Sequence, residues 1–144
     1  MSDKLIAKAS TSIDASKDEV WKALVTPKAI KQYMFGTDVQ SDFREGSKIT
    51  WKGEMKGKSY EDKGVIKQCE PGRVLQYSHF SPLSGKPDKP ENYHVVTIRL
   101  SGDGDKTQVS LSQDNAPDEK SRKEYEKNWE SMLGGLKKYV ERAS

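Results

Sequence analysis

The chain is poor in the residues that most often supply cross-links or chemistry. It has one cysteine, Cys69, and two histidines, His79 and His94. A lone cysteine excludes an internal disulfide and a cysteine-rich zinc site. No apolar run approaches the ~20 residues of a membrane-spanning helix. The opening segment MSDKLIAKASTS lacks the apolar stretch of a secretory signal. The expectation is therefore a cytoplasmic protein with no membrane span. Leucine, isoleucine, valine and phenylalanine supply only 26 of the 144 residues, or 18%. That fraction borders on disorder, but disorder also needs a large net charge, and the formal charge is only +3. Three tryptophans and six tyrosines add bulk that the aliphatic count misses. Residues 1–144 thus read as one lightly cored domain, with a cavity in place of part of its core.

The calculated isoelectric point of 8.8 raises nucleic-acid binding as a question. The lysines, however, are interleaved with acids in KDEVWK, EDKG and DEKSRKEYEK, and no basic stripe forms. Nucleic acid is not an expected partner. No GxSxG, phosphate-binding loop or GxGxxG is present. No cofactor is expected.

Alternation over residues 4–13, with Leu5, Ala7, Ala9, Thr11 and Ile13 on one face, predicts a half-buried strand. Ser16 and Glu19 have capping-box spacing, and Val20, Trp21, Leu24 and Val25 follow at helical spacing. Trp21 is expected to pack this helix on the sheet. Thr26-Pro27 ends it and offers a cap and first residue for a second short helix carrying Ile30, Tyr33 and Met34. From 38 to 114 the texture is short alternating runs punctuated by turns. These include 58–70 ended by Pro71-Gly72, an exposed proline-rich loop at 81–91, and a hairpin turn at 102–105. Connections this short dictate antiparallel pairing. Pro117 opens a long helix over roughly 117–142, in which Tyr125, Trp129, Met132, Leu133, Leu136 and Val140 form one apolar stripe. Gly134-Gly135 within it points to a kink or a close backbone approach. One amphipathic helix laid over a curved sheet encloses a wedge-shaped space, here short of leucine and isoleucine to fill it.

Four segments resemble one family. IDASKDEVWKALVTPKAIKQY is similar to the N-terminal signature of the activator of heat-shock-protein-90 ATPase homologues. These belong to the START-related, birch-pollen-allergen-like superfamily. GVIKQCEPGRVLQYSH resembles that family's hairpin, TQVSLSQ its last strand, and NWESMLGGLKKYVE its closing helix. The resemblance implies an α+β helix-grip fold: a curved antiparallel sheet of about seven strands wrapped around the C-terminal helix, with two short helices after the first strand. The chain departs from the pattern at Tyr33, at Asn128 and at His79, which alter the lining of the pocket.

Trp51, Tyr77 and Trp129 are the expected cavity walls, with Met132 and Leu133 beside them and His79 and His94 as polar contacts. Asp62 and Gln113 share the inward parity. The two histidines and a carboxylate lack metal-motif spacing, so no metal is expected. The leading reading is non-enzymatic binding of a small hydrophobic ligand, lipid-like or aromatic, between helix and sheet. The alternatives are a protein-interaction module with a chaperone as partner, and an enzyme of the polyketide cyclase or aromatase type. An apolar patch on the outer face would favour the interaction module. A tight His–carboxylate pair inside would favour the enzyme.

Overall fold

Alternation of small and β-branched residues sets the first strand, β1 (Leu5–Ile13): Ala7 and Ile13 are buried, Ala9 and Thr11 half-buried, and the residues between them exposed. The computed structural model describes residues 5–34, 36–55, 57–82 and 85–143. Helix α1 (Lys17–Leu24) begins at Ser16 with both halves of the capping box in place. The Ser16 hydroxyl accepts from the Glu19 amide at 3.2 Å, and the Glu19 carboxylate accepts from the Ser16 amide at 3.4 Å. Ser16→Ala is expected to cost about 1 kcal/mol. The check is a lowered urea midpoint at unchanged slope.

Helix α2 (Pro27–Tyr33) starts with proline at its first turn, but Thr26 does not cap it. The Thr26 hydroxyl donates instead to the Lys22 carbonyl at 2.5 Å, closing the end of α1. Tyr33 ends α2 buried, its hydroxyl donating to the Ala23 carbonyl at 2.9 Å. Trp21 is half-buried against the hydrophobic core, in line with its expected packing role.

Six further strands follow: β2 (Asp38–Ser41), β3 (Lys48–Met55), β4 (Lys58–Glu70), β5 (Val74–His79), β6 (His94–Ser101) and β7 (Thr107–Ala116). Every neighbouring pair is antiparallel, and the sheet order is β1-β7-β6-β5-β4-β3-β2. The connection between β5 and β6 runs over the outer face of the sheet. Phe80 and Tyr93 stack there at 5.0 Å, and the Tyr93 hydroxyl donates to Asp88 at 2.6 Å. The described part of the 81–91 loop is exposed apart from Ser81 and ends in a 3-10 turn at Pro90–Asn92; Leu83 and Ser84 lie outside the described residues.

Helix α3 (Glu119–Ala143) closes the inner face. It starts two residues later than Pro117 because Asp118 acts as its cap, accepting from the Ser121 amide at 2.7 Å. Met132, Leu133, Leu136 and Val140 are buried, while Tyr125 and Trp129 are half-buried. The helix runs unbroken through Gly134-Gly135. A Cβ at Gly135 would stand 3.2 Å from the Tyr33 carbonyl oxygen, so the glycine serves the close approach of α2 to α3. Three polar ties bind α3 to β1 and its end. Lys137 donates to the Ser12 carbonyl at 2.8 Å, and Glu141 and Glu126 accept from the Asp14 and Lys8 amides, each at 2.9 Å.

Candidate functional site

The wedge between α3 and the sheet is filled at one end and open at the other. Ile13, Ile66, Val96, Val109, Leu133 and Leu136 are all nearly or fully buried and pack the filled part. The open part is a cavity of about 130 Å³. Strands β3, β4 and β5 contribute Trp51, Tyr60, Asp62, Tyr77 and His79; β7 contributes Gln113 and α3 contributes Trp129. Met34 and Thr37, in the connection from α2 to β2, complete the lining.

Strand pairing explains how these side chains meet. Trp51 stands opposite Asp62, and His79 opposite His94. Because alternate residues share a face, Tyr60 and Asp62 on β4 and Tyr77 and His79 on β5 all turn inward. The Trp51 ring lies 5.1 Å from Tyr77 and 5.0 Å from His79, the latter edge to face. His79 donates from Nε2 to Asp62 Oδ2 at 2.9 Å when that nitrogen carries the proton. This pairing leaves Nδ1 as the acceptor of a neutral ring. Trp129 donates from Nε1 to Gln113 Oε1 at 2.6 Å, which fixes the indole as a wall. The hydroxyls of Thr37 and Tyr60 bond each other at 2.8 Å across the far side. One polar atom stands apart: Asp62 Oδ1 is buried and has no partner among the described residues.

Four of the seven expected site residues therefore line the cavity: Trp51, Tyr77, His79 and Trp129. His94 sits one layer behind, its ring 6.4 Å from His79 and 5.5 Å from Tyr125. Met132 and Leu133 lie in the packed part and do not line it. Met34, Thr37 and Tyr60 were not anticipated, although Tyr60 shares the parity of Asp62. Among the described residues, no three of His, Cys, Asp and Glu group closely enough to hold a metal ion. Cys69 lies away from the cavity, where burial and the nearby Glu45 carboxylate raise its pKa and oppose a thiolate.

His94 donates from Nδ1 to the Asp114 carbonyl at 2.9 Å. Burial, the largest influence, holds its pKa below the ordinary value of 6.5. As the pH falls through that value the unfolded chain takes up a proton that the folded chain resists, so stability is full well above pH 6.5 and declines as the pH falls through it. The urea midpoint is expected to drop between about pH 7.5 and about pH 5, and His94→Gln to flatten part of that drop.

On the outer face lies a larger and shallower groove, about 960 Å³, bordered by Ile6, Val65, Tyr93 and Val95. Ile6 and Val65 are 48% and 40% exposed. Among the described residues no helix is long and apolar enough to cross a membrane.

Residues 14–141 match the family described as activator of Hsp90 ATPase homolog 1-like proteins. The chain belongs to that family. The solution structure of ChR145 from Cytophaga hutchinsonii is 58% identical, with TM-score 0.86, covering 99% of this chain and 98% of that one. A crystal structure of CalU16 from Micromonospora echinospora is 26% identical, with TM-score 0.70, over 96% of this chain and 85% of its own. A protein of the dynemicin biosynthetic locus shares the fold at 18% identity and TM-score 0.77, over 96% of this chain and 48% of that one. No functionally curated protein matches the sequence. Membership in the family fixes the helix-grip architecture, and the cavity residues of this member must carry the argument about function.

Proposed function

We propose that this family member binds a compact, largely apolar ligand in the cavity between α3 and the sheet. The observation that carries the reading is a set of aromatic walls inside the fold. The Asp62–His79 pair at the polar end is the feature that favours an enzyme, and turnover of a bound ligand that vanishes in His79→Ala would decide for that reading. The volume sets the scale. About 130 Å³ is far below the roughly 300–1,000 Å³ of drug-sized sites. It is close to the ~150 Å³ of an apolar cavity known to hold benzene. A single ring or a branched body of similar size is the fitting ligand, and a lipid chain is too large for the cavity as it stands. Trp51, Tyr77 and Trp129 would supply contact area, with His79 orienting the ligand and His94 supporting it from behind.

The test is an NMR titration with benzene and phenol, read at the Trp129 indole N–H. The expected result is a saturable shift with affinity in roughly the millimolar-to-micromolar range. Trp129→Ala, followed at the indole N–H of Trp51 on the opposite wall, should weaken it about tenfold or more, because the wall and its bond to Gln113 go together. A folded wild type that responds to neither probe removes the reading.

A second reading, docking of a chaperone partner, draws on the family description and on the outer groove with its exposed Ile6 and Val65. Titration with an Hsp90-type chaperone would then shift Ile6, Val65 and Val95 and leave the cavity residues unmoved. Absence of shifts on that face removes this reading.

A further inference from the structure

We infer that the cavity is built for a small organic cation, an alkylammonium whose N–H donates to Asp62. This rests on the reading of the cavity as the binding site and adds the chemical class of its occupant. The starting point is the charge inventory. The Asp62 side chain is only 16% exposed, and its Oδ1 is buried without a partner while Oδ2 is shared with His79. No lysine or arginine lines the cavity among the described residues. The lysine next in sequence, Lys63, pairs with Asp88 in the 81–91 connection and does not line the cavity. A buried carboxylate requires both hydrogen bonds and a compensating charge. The imidazole of His79 provides one hydrogen bond, and it provides charge only when protonated.

The walls point the same way. Trp51, Tyr77 and Trp129, with Tyr60 beside them, surround Asp62 with aromatic rings. Aromatic faces attract cations, and the attraction strengthens where water is excluded. An ammonium placed here would give one N–H to the Asp62 carboxylate, which lines the cavity, in a charge-assisted bond and turn its apolar body toward the indoles. A carboxylate ligand would meet Asp62 as a second anion in the same small space, with no guanidinium or ammonium to separate the two. A neutral alcohol could donate to the carboxylate but would leave the charge uncompensated.

The experiment uses the full chain at about pH 8 with three probes of common shape: tert-butylammonium, tert-butanol and pivalate. Binding is read by NMR shifts at the Trp129 indole N–H. The ammonium is expected to bind at least about tenfold tighter than the alcohol, and pivalate to give no saturable shift. In Asp62→Asn, the advantage of the ammonium over the alcohol should fall below about threefold. Equal affinity for ammonium and alcohol, or a preference for pivalate, overturns the inference and leaves the cavity reading standing. A preference for the ammonium that survives Asp62→Asn overturns the role given to Asp62. If Asp62→Asn does not fold, the wild-type series still decides the ligand class. Failure of all three probes, with benzene and phenol still binding, overturns only the cation; failure of all five removes the cavity reading too.

Discussion

Gly64→Ala is expected to lower stability by about 3 kcal/mol or more. A Cβ at Gly64 would fall 1.7 Å from the Ser78 carbonyl oxygen and 2.6 Å from its carbon. Both are backbone atoms of the neighbouring strand, so no rotamer change relieves the overlap. Strands β4 and β5 would have to separate where Val65 donates to the Ser78 hydroxyl at 3.0 Å and Lys63 and Phe80 exchange backbone bonds. Gly64 lies two residues from Asp62, and Ser78 adjoins His79. The same glycine thus brings the carboxylate to the imidazole. A lowered urea midpoint, with loss of the native shift of the Trp129 indole N–H, is the expected record. An unchanged midpoint would show that the two strands part here without cost.

Leu136→Ala should remove about 2–5 kcal/mol, by lost transfer free energy and the void left behind. Leu136 is 0% exposed and stands in the part of the stripe that packs on the sheet, beside Leu133 at 1%. Thermal unfolding monitored by circular dichroism measures the loss. Because Leu136 does not line the cavity, the response of Trp129 to benzene should persist wherever the variant remains folded. This separates destabilisation of α3 from damage to the site.

The elements that rest on local interactions were readable from the residues. The Ser16–Glu19 box needs only three residues of separation, and the 125–140 stripe needs only the helical period. Strand 58–70 and its Pro71-Gly72 reversal coincide with the observed β4 and the turn after it. The site was legible in part, through parity. Asp62, His79 and Gln113 could each be placed on the inner face, but not joined. The Asp62–His79 contact depends on a register shift between Ile66 and Gln68 and on the close approach at Gly64, which involve two strands at once. Thr37 lies in a connection without periodicity, so no pattern announced it. Met132 and Leu133 share the stripe with Trp129, yet α3 spans roughly 37 Å. Among the described residues the cavity meets it only at Trp129. A stripe gives the buried face of a helix and says nothing about where along that face the packing stops.

The position of β1 has a consequence for synthesis. Among the described residues its only neighbour in the sheet is β7, with Lys8 opposite Ser112, and its other support is α3. While a ribosome is still translating the middle of the chain, β1 has emerged with none of these partners available. A stretch with Ile6 on one side and Ala7 and Ile13 on the other must wait, unpaired, for about a hundred residues of further elongation. Strands β2 to β6 could therefore pair with one another long before β1 finds its place beside β7.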